Sequence, residues 1–210
     1  MISEQQFRQM MPHAGARLDA HLPFINAALD EGRINTPRRI AAFMAQLAHE
    51  SGEYRYMEEL ADGRAYEGRS DLGNTEPGDG VKFKGHGPIQ ITGRANHAAC
   101  GAALGLDLIG SPKLIATPEH GTRSAVWFWN SRNLSPLADC DWFKTITRRI
   151  NGGFNGLSDR RQYWDRIRAL LGLPYVELDR EEFSIAEFQR RHNLPADGIA
   201  GPRTLKALAA

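Results

Sequence analysis

A mainly α-helical fold is predicted by three features of the sequence. Apolar residues recur at helical spacing in successive segments, capping residues stand just ahead of several of them, and alternating strand patterns are scarce. Ser3, followed by Glu4, Gln5 and Gln6 and then Phe7, Met10 and Met11, reads as a capped short helix. A second helix is expected from about Leu18 to Asp30, closing near Gly32. Thr36-Pro37 supplies the N-cap and first-turn proline of a third, which carries Ile40, Phe43, Met44 and Leu47 on one face. From Asp62 to Gly87 recurrent glycines and Pro77 leave no room for long regular structure, and so long a loop in a compact domain is usually functional. Ile89 to Thr92 reads as a short strand or turn and Gly93 to Leu104 as a helix. Pro118 precedes a helix through Trp127-Phe128-Trp129, whose aromatic density marks a core element. Helices are expected from Phe143 to Ile150 and from Asp159 to Leu171, flanking the glycine-rich segment 151–156. A polar stretch after Pro174 then leads into a helix-loop-helix from Phe183 to Leu208.

The chain has 210 residues, 41% of them hydrophobic, enough to bury a real core. A net charge of +1 gives no broad field for nucleic-acid phosphates or anionic lipid, so neither is an expected partner. The opening MISEQQFRQMMPHAG lacks a cationic flank followed by an apolar run, and no stretch reaches membrane-spanning length. A cytoplasmic protein that does not insert into membranes is therefore expected. Cys100 and Cys140 are too few for a disulfide framework or a zinc site and read as small buried apolar residues.

The stretch from Gln46 to Gly63 concentrates carboxylates at the end of the third helix. At about 100° per residue, Glu50 lies roughly 70° from the centre of the apolar stripe, at the edge of the buried face, with His49 turned to the opposite side. Partial apolar cover disfavours the charged form of a carboxyl, which suits a general acid; an edge glutamate at a helix end also has the plain reading of a solvated side chain. Glu59 would face away from Glu50, at about 180°, if one helix ran through both. The two can cooperate only if the chain breaks between them, and Gly52 supplies a break. His49-Glu50 begins a zinc-protease motif, but Glu53 occupies the place of its second histidine. Dinucleotide loops, nucleophile elbows and phosphate loops are equally missing, so no metal or cofactor is expected. Carboxylates beside amides, hydroxyls and glycines remain, the composition of a sugar-cleaving cleft.

Five ordered blocks carry a specific resemblance: Ala48-His49-Glu50-Ser51-Gly52; the run from Lys84 to Asn96; Ser111-Pro112-Lys113-Leu114-Ile115-Ala116; Ala125 to Trp129; and Ile150-Asn151-Gly152-Gly153. In these the sequence resembles glycoside hydrolase family 19, the plant-type chitinases and many bacteriophage endolysins. The resemblance implies a lysozyme-like, two-lobed helical fold with a substrate cleft, and an inverting mechanism. By it Glu50 is the general acid and a second carboxylate activates water, the pair standing roughly 6.5–9.5 Å apart. Glu59 is the first choice for that second carboxylate, Glu67 the next and Glu58 the third, while Glu53 reads as a solvated surface residue. Thr92 matches a hydroxyl that helps hold the attacking water. Gln90, Asn96 and Asn151 match amides that bind the sugars, and Arg160 matches an arginine that orients the acid. Trp127 and Trp129 match core aromatics. Two departures stand out: His86 where the family commonly has arginine, and Asn155 where plant members carry an acidic partner for the later arginine, which leaves Arg160 to pair with Glu50 alone.

The run from Phe188 to Leu205 resembles the second half of a type 1 peptidoglycan-binding domain. Residues 1–172 are accordingly expected to form the catalytic domain and 173–210 a partial wall-binding segment packed on it, too short to be stable alone. The leading expectation is a monomeric phage or prophage endolysin that hydrolyses the glycan strand of peptidoglycan as a muramidase. It would wait in the host cytoplasm until released by a holin or similar pore. The alternatives are a chitinase acting on N-acetylglucosamine polymers and a non-catalytic wall-binding protein in which Glu50 is idle.

Overall fold

A computed structural model describes residues 1–209. Among them are eleven α-helices: α1 Glu4–Met10, α2 Arg17–Glu31, α3 Pro37–Ser51, α4 Asp79–Lys82, α5 Arg94–Leu104, α6 Pro118–Ser131, α7 Ser135–Asp139, α8 Phe143–Asn151, α9 Leu157–Leu170, α10 Glu181–Arg191 and α11 Pro202–Leu208. Local chemistry sets several boundaries. Ser3 Oγ accepts from Gln6 N at 3.1 Å while Gln6 Oε1 accepts from Ser3 N at 3.0 Å, a complete capping box on α1. Thr36 Oγ1 accepts from Arg39 N ahead of Pro37, and Thr117 Oγ1 from His120 N ahead of Pro118.

Helix α3 is the axis of the molecule. Residues 41–48 are all buried, and the helix packs against α9 and α7 while α2 packs against α6. Phe43 meets Trp129 edge-on at 5.4 Å, and Phe143 stacks on Trp164 at 4.5 Å, tying α3 to α6 and α8 to α9. Cys100 is buried as expected, but Cys140 is only half-buried. The segment after α9 is fixed by Arg168, buried at 1% exposure, which donates to Pro174 O at 2.7 Å and pairs with Asp141 at 2.5 Å.

The expected choice of strand or turn at residues 89–92 resolves as a turn. Only isolated bridges form, His86 with Ile91 and with Glu58, because Gln90 adopts φ 54° and breaks any extended run. The glycine-rich stretch before it holds α4 and short 3₁₀ turns at Arg64–Tyr66 and Ser70–Leu72.

His86, at the place where the resemblance calls for arginine, is buried against His97. Gly93 O can only accept, so His97 Nδ1 donates to it at 2.9 Å. The Nε2 of a neutral His97 then accepts from His86 Nδ1 at 3.1 Å. Burial, with His97 next in weight, pushes His86 down to about 4 from an ordinary value of 6.5, and burial lowers His97 as well. Both rings are therefore neutral in the folded state and take up protons on unfolding below about pH 6.5. Stability is expected to be fully present above that pH and to fall towards pH 4, by up to about 1.4 kcal/mol per pH unit from His86, with His97 acting in the same direction. Urea midpoints measured between pH 7 and pH 5 check this, and a flat profile contradicts it.

Candidate active site

The chain reverses direction immediately after Glu50. Gly52, Glu53 and Tyr54 take φ of 54°, 60° and 61°, three successive left-handed residues that end α3. Such a conformation costs a residue with a side chain about 1–2 kcal/mol, so the turn must be held by its surroundings. Ser51 Oγ accepts from Tyr54 N at 2.7 Å, and the buried Tyr54 hydroxyl meets Thr122 Oγ1 at 3.2 Å. The Glu53 carboxylate accepts from His13 N and from the Tyr163 hydroxyl, the latter at 3.0 Å. Glu53 is only 1% exposed, which overturns its reading as a solvated surface residue. Its left-handed backbone turns the side chain inward, where two donors meet the carboxylate. The helix thus does not run through to Glu59.

Glu50 stands at the last turn of α3, its side chain 19% exposed. Its Oε1 accepts from Arg160 Nη2 at 2.5 Å, and among the described residues no protein group bonds Oε2. Arg160, on the first turns of α9, is buried; it donates to Gln46 Oε1 at 2.5 Å and to Asn155 O at 3.4 Å. Gln46 is in turn held by Thr147 Oγ1 at 2.9 Å. One side of Glu50 is thereby covered by polar groups, where periodicity alone implied apolar ones. Asn155 offers Arg160 only a backbone carbonyl, so Glu50 is its one carboxylate partner among the described residues. Asn151 lies exposed on the same side, donating to Asn155 O at 3.5 Å. His49 turns away and meets Asp159 at 2.6 Å.

A second group gathers around Glu59. Its Oε1 accepts from the Tyr66 hydroxyl at 2.9 Å and its Oε2 from Gly85 N at 2.9 Å, leaving each oxygen a free lone pair. Burial, and after it the bond to Glu59, raise the Tyr66 phenol, which keeps it a donor. Gly85 lets the two side chains approach, because a Cβ would come 2.6 Å from Gln90 Oε1 and 3.2 Å from Glu59 Oε2 and displace them. Gln90 Nε2 donates to Gly87 O at 2.9 Å, Thr92 Oγ1 to Gln90 O at 3.1 Å, and Asn96 Nδ2 to Thr92 O at 2.7 Å. Gln90 Nε2 also reaches Tyr56 O at 3.2 Å, and the Tyr56 ring lies against Gly52, which links this group to the turn after Glu50.

The other carboxylates are placed differently. Glu58 is bound by Lys84 at 3.0 Å and Lys113 at 3.1 Å; burial raises its carboxyl, but the two lysines outweigh that and hold it below the usual range. Glu67 is exposed and accepts from Gly78 N at 2.7 Å and Gly80 N at 2.8 Å, stapling the glycine-rich loop to itself. Glu59 is the one of the three that adjoins the amide and hydroxyl line. Among the described residues no group of three or more His, Cys, Asp or Glu is placed to hold a metal ion.

A family profile described as chitinase class I, glycoside hydrolase family 19, matches residues 16–162. The chain belongs to glycoside hydrolase family 19. A second profile, of a peptidoglycan-binding domain, matches residues 183–208 of this family 19 chain. It is 31% identical over 192 residues to a glycosyl hydrolase family 19 domain-containing protein of Haemophilus influenzae, covering 76% of this chain and 92% of the relative. An Arabidopsis thaliana endochitinase is 44% identical over 117 residues, 55% of this chain and 40% of the relative, so the chain spans about two fifths of that protein's length. Among solved structures, a bacterial family 19 chitinase superposes with a TM-score of 0.71 at 26% identity, covering 84% of this chain and 98% of that one. Chitinase C of Streptomyces griseus gives 0.70 at 25% identity, covering 84% and 79%. The family 19 chain thus has the lysozyme-like helical fold of its solved relatives.

Several residues of this family 19 site lie outside the sequence expectation. Gln46 precedes Glu50 by four residues, so helical register alone puts it on the same face and flags it as a second partner for whatever holds Glu50. Glu53 and Tyr66 gave no such signal, since their roles depend on a left-handed turn and on a partner across an irregular loop.

Proposed function

We propose that this family 19 glycosidase hydrolyses the glycan strand of bacterial peptidoglycan as a phage or prophage endolysin, with residues 1–172 catalytic and 173–210 a wall-directed segment. The observation that carries the substrate class is the attachment of the peptidoglycan-binding-type segment to the catalytic helices. Glu181, 5% exposed, accepts from Lys144 N and Thr145 N at 2.7 Å each, capping the start of α8, and Trp142 meets Phe188 edge-on at 5.5 Å. The segment is therefore packed against the start of α8, the helix that ends at Asn151.

In this reading Glu50 delivers a proton from its free Oε2 to the glycosidic oxygen, while Arg160 fixes Oε1. Glu59, with lone pairs to spare, takes a proton from a water that Thr92 Oγ1 helps to hold, and that water attacks the opposite face of the sugar. Gln90, Asn96 and Asn151 hydrogen-bond the sugars. The protein acts as a monomer and waits in the host cytoplasm until a holin or similar pore admits it to the wall. No helix among the described residues is long and apolar enough to cross a membrane.

Digestion of purified murein and of chitin oligomers, with identification of the new reducing ends, tests the substrate. Muramic acid ends support the proposal, and cleavage of chitin alone replaces it with the chitinase reading. Glu59→Gln is expected to lower murein cleavage at least about 100-fold, and Glu67→Gln by less than about fivefold. The reverse order in a turnover assay would move the base to Glu67.

A further inference from the structure

We infer that the seam between α8 and the C-terminal segment is a binding site for the acidic stem peptide carried by the peptidoglycan strand. This rests on the substrate reading above and adds a determinant to it. A cavity of about 280 Å³ opens there, lined among others by Lys144, Arg148, Arg149, Phe154, Glu182 and Ile199. The volume sits at the small end of ligand pockets.

The charges in the seam do not cancel. Glu181 is consumed by backbone amides and the Thr145 hydroxyl, and Glu182 pairs with Lys144. Arg148 and Arg149 have no carboxylate partner among the described residues, which leaves two cationic forks facing a concave surface. The rim is apolar, with Phe154 47% and Ile199 51% exposed. Unpaired guanidinium groups beside exposed apolar side chains fit a ligand with free carboxylates and small alkyl groups, such as a short acidic peptide. Chitin, an uncharged polymer, offers the arginines hydrogen-bond acceptors but no carboxylate.

Both walls are tied to known parts of the molecule. Phe154 precedes Asn155, whose carbonyl receives Arg160, the partner of Glu50, so this rim is linked to Glu50 through Arg160. The opposite rim lies within the peptidoglycan-binding match. The buried Gln189 holds it by donating to Asp197 Oδ1 at 2.7 Å and Ile199 O at 3.0 Å while accepting from Gly198 N at 3.0 Å. A strand lying at Glu50 can therefore place a stem peptide against α8.

The test titrates the Glu50→Gln chain, which leaves the ligand uncut, with a murein disaccharide-tetrapeptide, with the same disaccharide lacking peptide, and with inorganic phosphate. The peptide-bearing fragment is expected to bind at least about fivefold tighter than the bare disaccharide, with an advantage that shrinks as salt rises. Adding Arg148→Ala and Arg149→Ala removes that advantage, whereas Arg148→Lys with Arg149→Lys retains most of it; circular dichroism checks that each chain is folded. Equal affinity for the two fragments overturns the site. So does an advantage that survives in the double alanine variant, or phosphate binding without any preference for the peptide. Murein left uncut by the wild type instead overturns the substrate reading, separately from the outcome of the titration.

Discussion

Glu50→Gln is expected to lower glycan cleavage by about three orders of magnitude while leaving the fold intact. The glutamine keeps an oxygen for Arg160 Nη2 and replaces the unbonded Oε2, the proton-donating position, with an amide that cannot serve as an acid. Arg160 retains its bonds to Gln46 and to Asn155 O, so its donors stay satisfied, although its one carboxylate partner is lost. Cooperative thermal melting at a midpoint below that of wild type, together with loss of turnover, is the expected pair of results. A folded variant that keeps more than about a tenth of the activity removes Glu50 from the role of acid.

Arg160→Met is expected to damage both stability and rate. Arg160 is 2% exposed and joins Glu50 and Gln46, both on α3, to the carbonyl of Asn155 ahead of α9. Removing it strands the Gln46 carbonyl oxygen and leaves Glu50 without a counter-charge. Breaking a buried pair costs about 3–5 kcal/mol, and the partial exposure of Glu50 places this one near the lower figure. With Oε1 no longer fixed, the orientation of the acid is lost, and kcat is expected to fall about 100-fold with little change in KM. Arg160→Lys restores the charge but cannot span three acceptors, so it should recover only part of the rate. A change confined to KM would make Arg160 a substrate-binding group instead of a positioning residue.

The helical architecture was legible because its signals are local. The capping box at Ser3, the Thr36-Pro37 and Thr117-Pro118 entries and the stripe on α3 each need only a few consecutive residues. The short helices α4 and α7 were not legible, since they are too brief to show a period. In the site, Glu50 could be reached from register and motif together, and Gly52 marked the required break. The left-handed run through Glu53 and Tyr54 could not, because no residue beyond Gly52 favours φ > 0 and its stability comes from His13, Thr122 and Tyr163, remote in sequence. The same limit explains Glu53: a carboxylate beside a helix end reads as solvated unless the donors that bury it are known. The separation of Glu58 from Glu59 likewise depended on Lys84 and Lys113, which the sequence places 26 and 55 residues beyond Glu58.

The central claim is that Glu50 and Glu59 act from opposite faces of the sugar through a single water. The anomeric configuration of the newly formed reducing end measures this most directly, read by proton NMR in the first moments of murein digestion, before mutarotation. Attack by a water held at Glu59 inverts the β-linkage, so the account predicts that the α-anomer appears first. Initial accumulation of the β-anomer would mean retention through a covalent or substrate-assisted intermediate, and would contradict the assignment of Glu59 as the base.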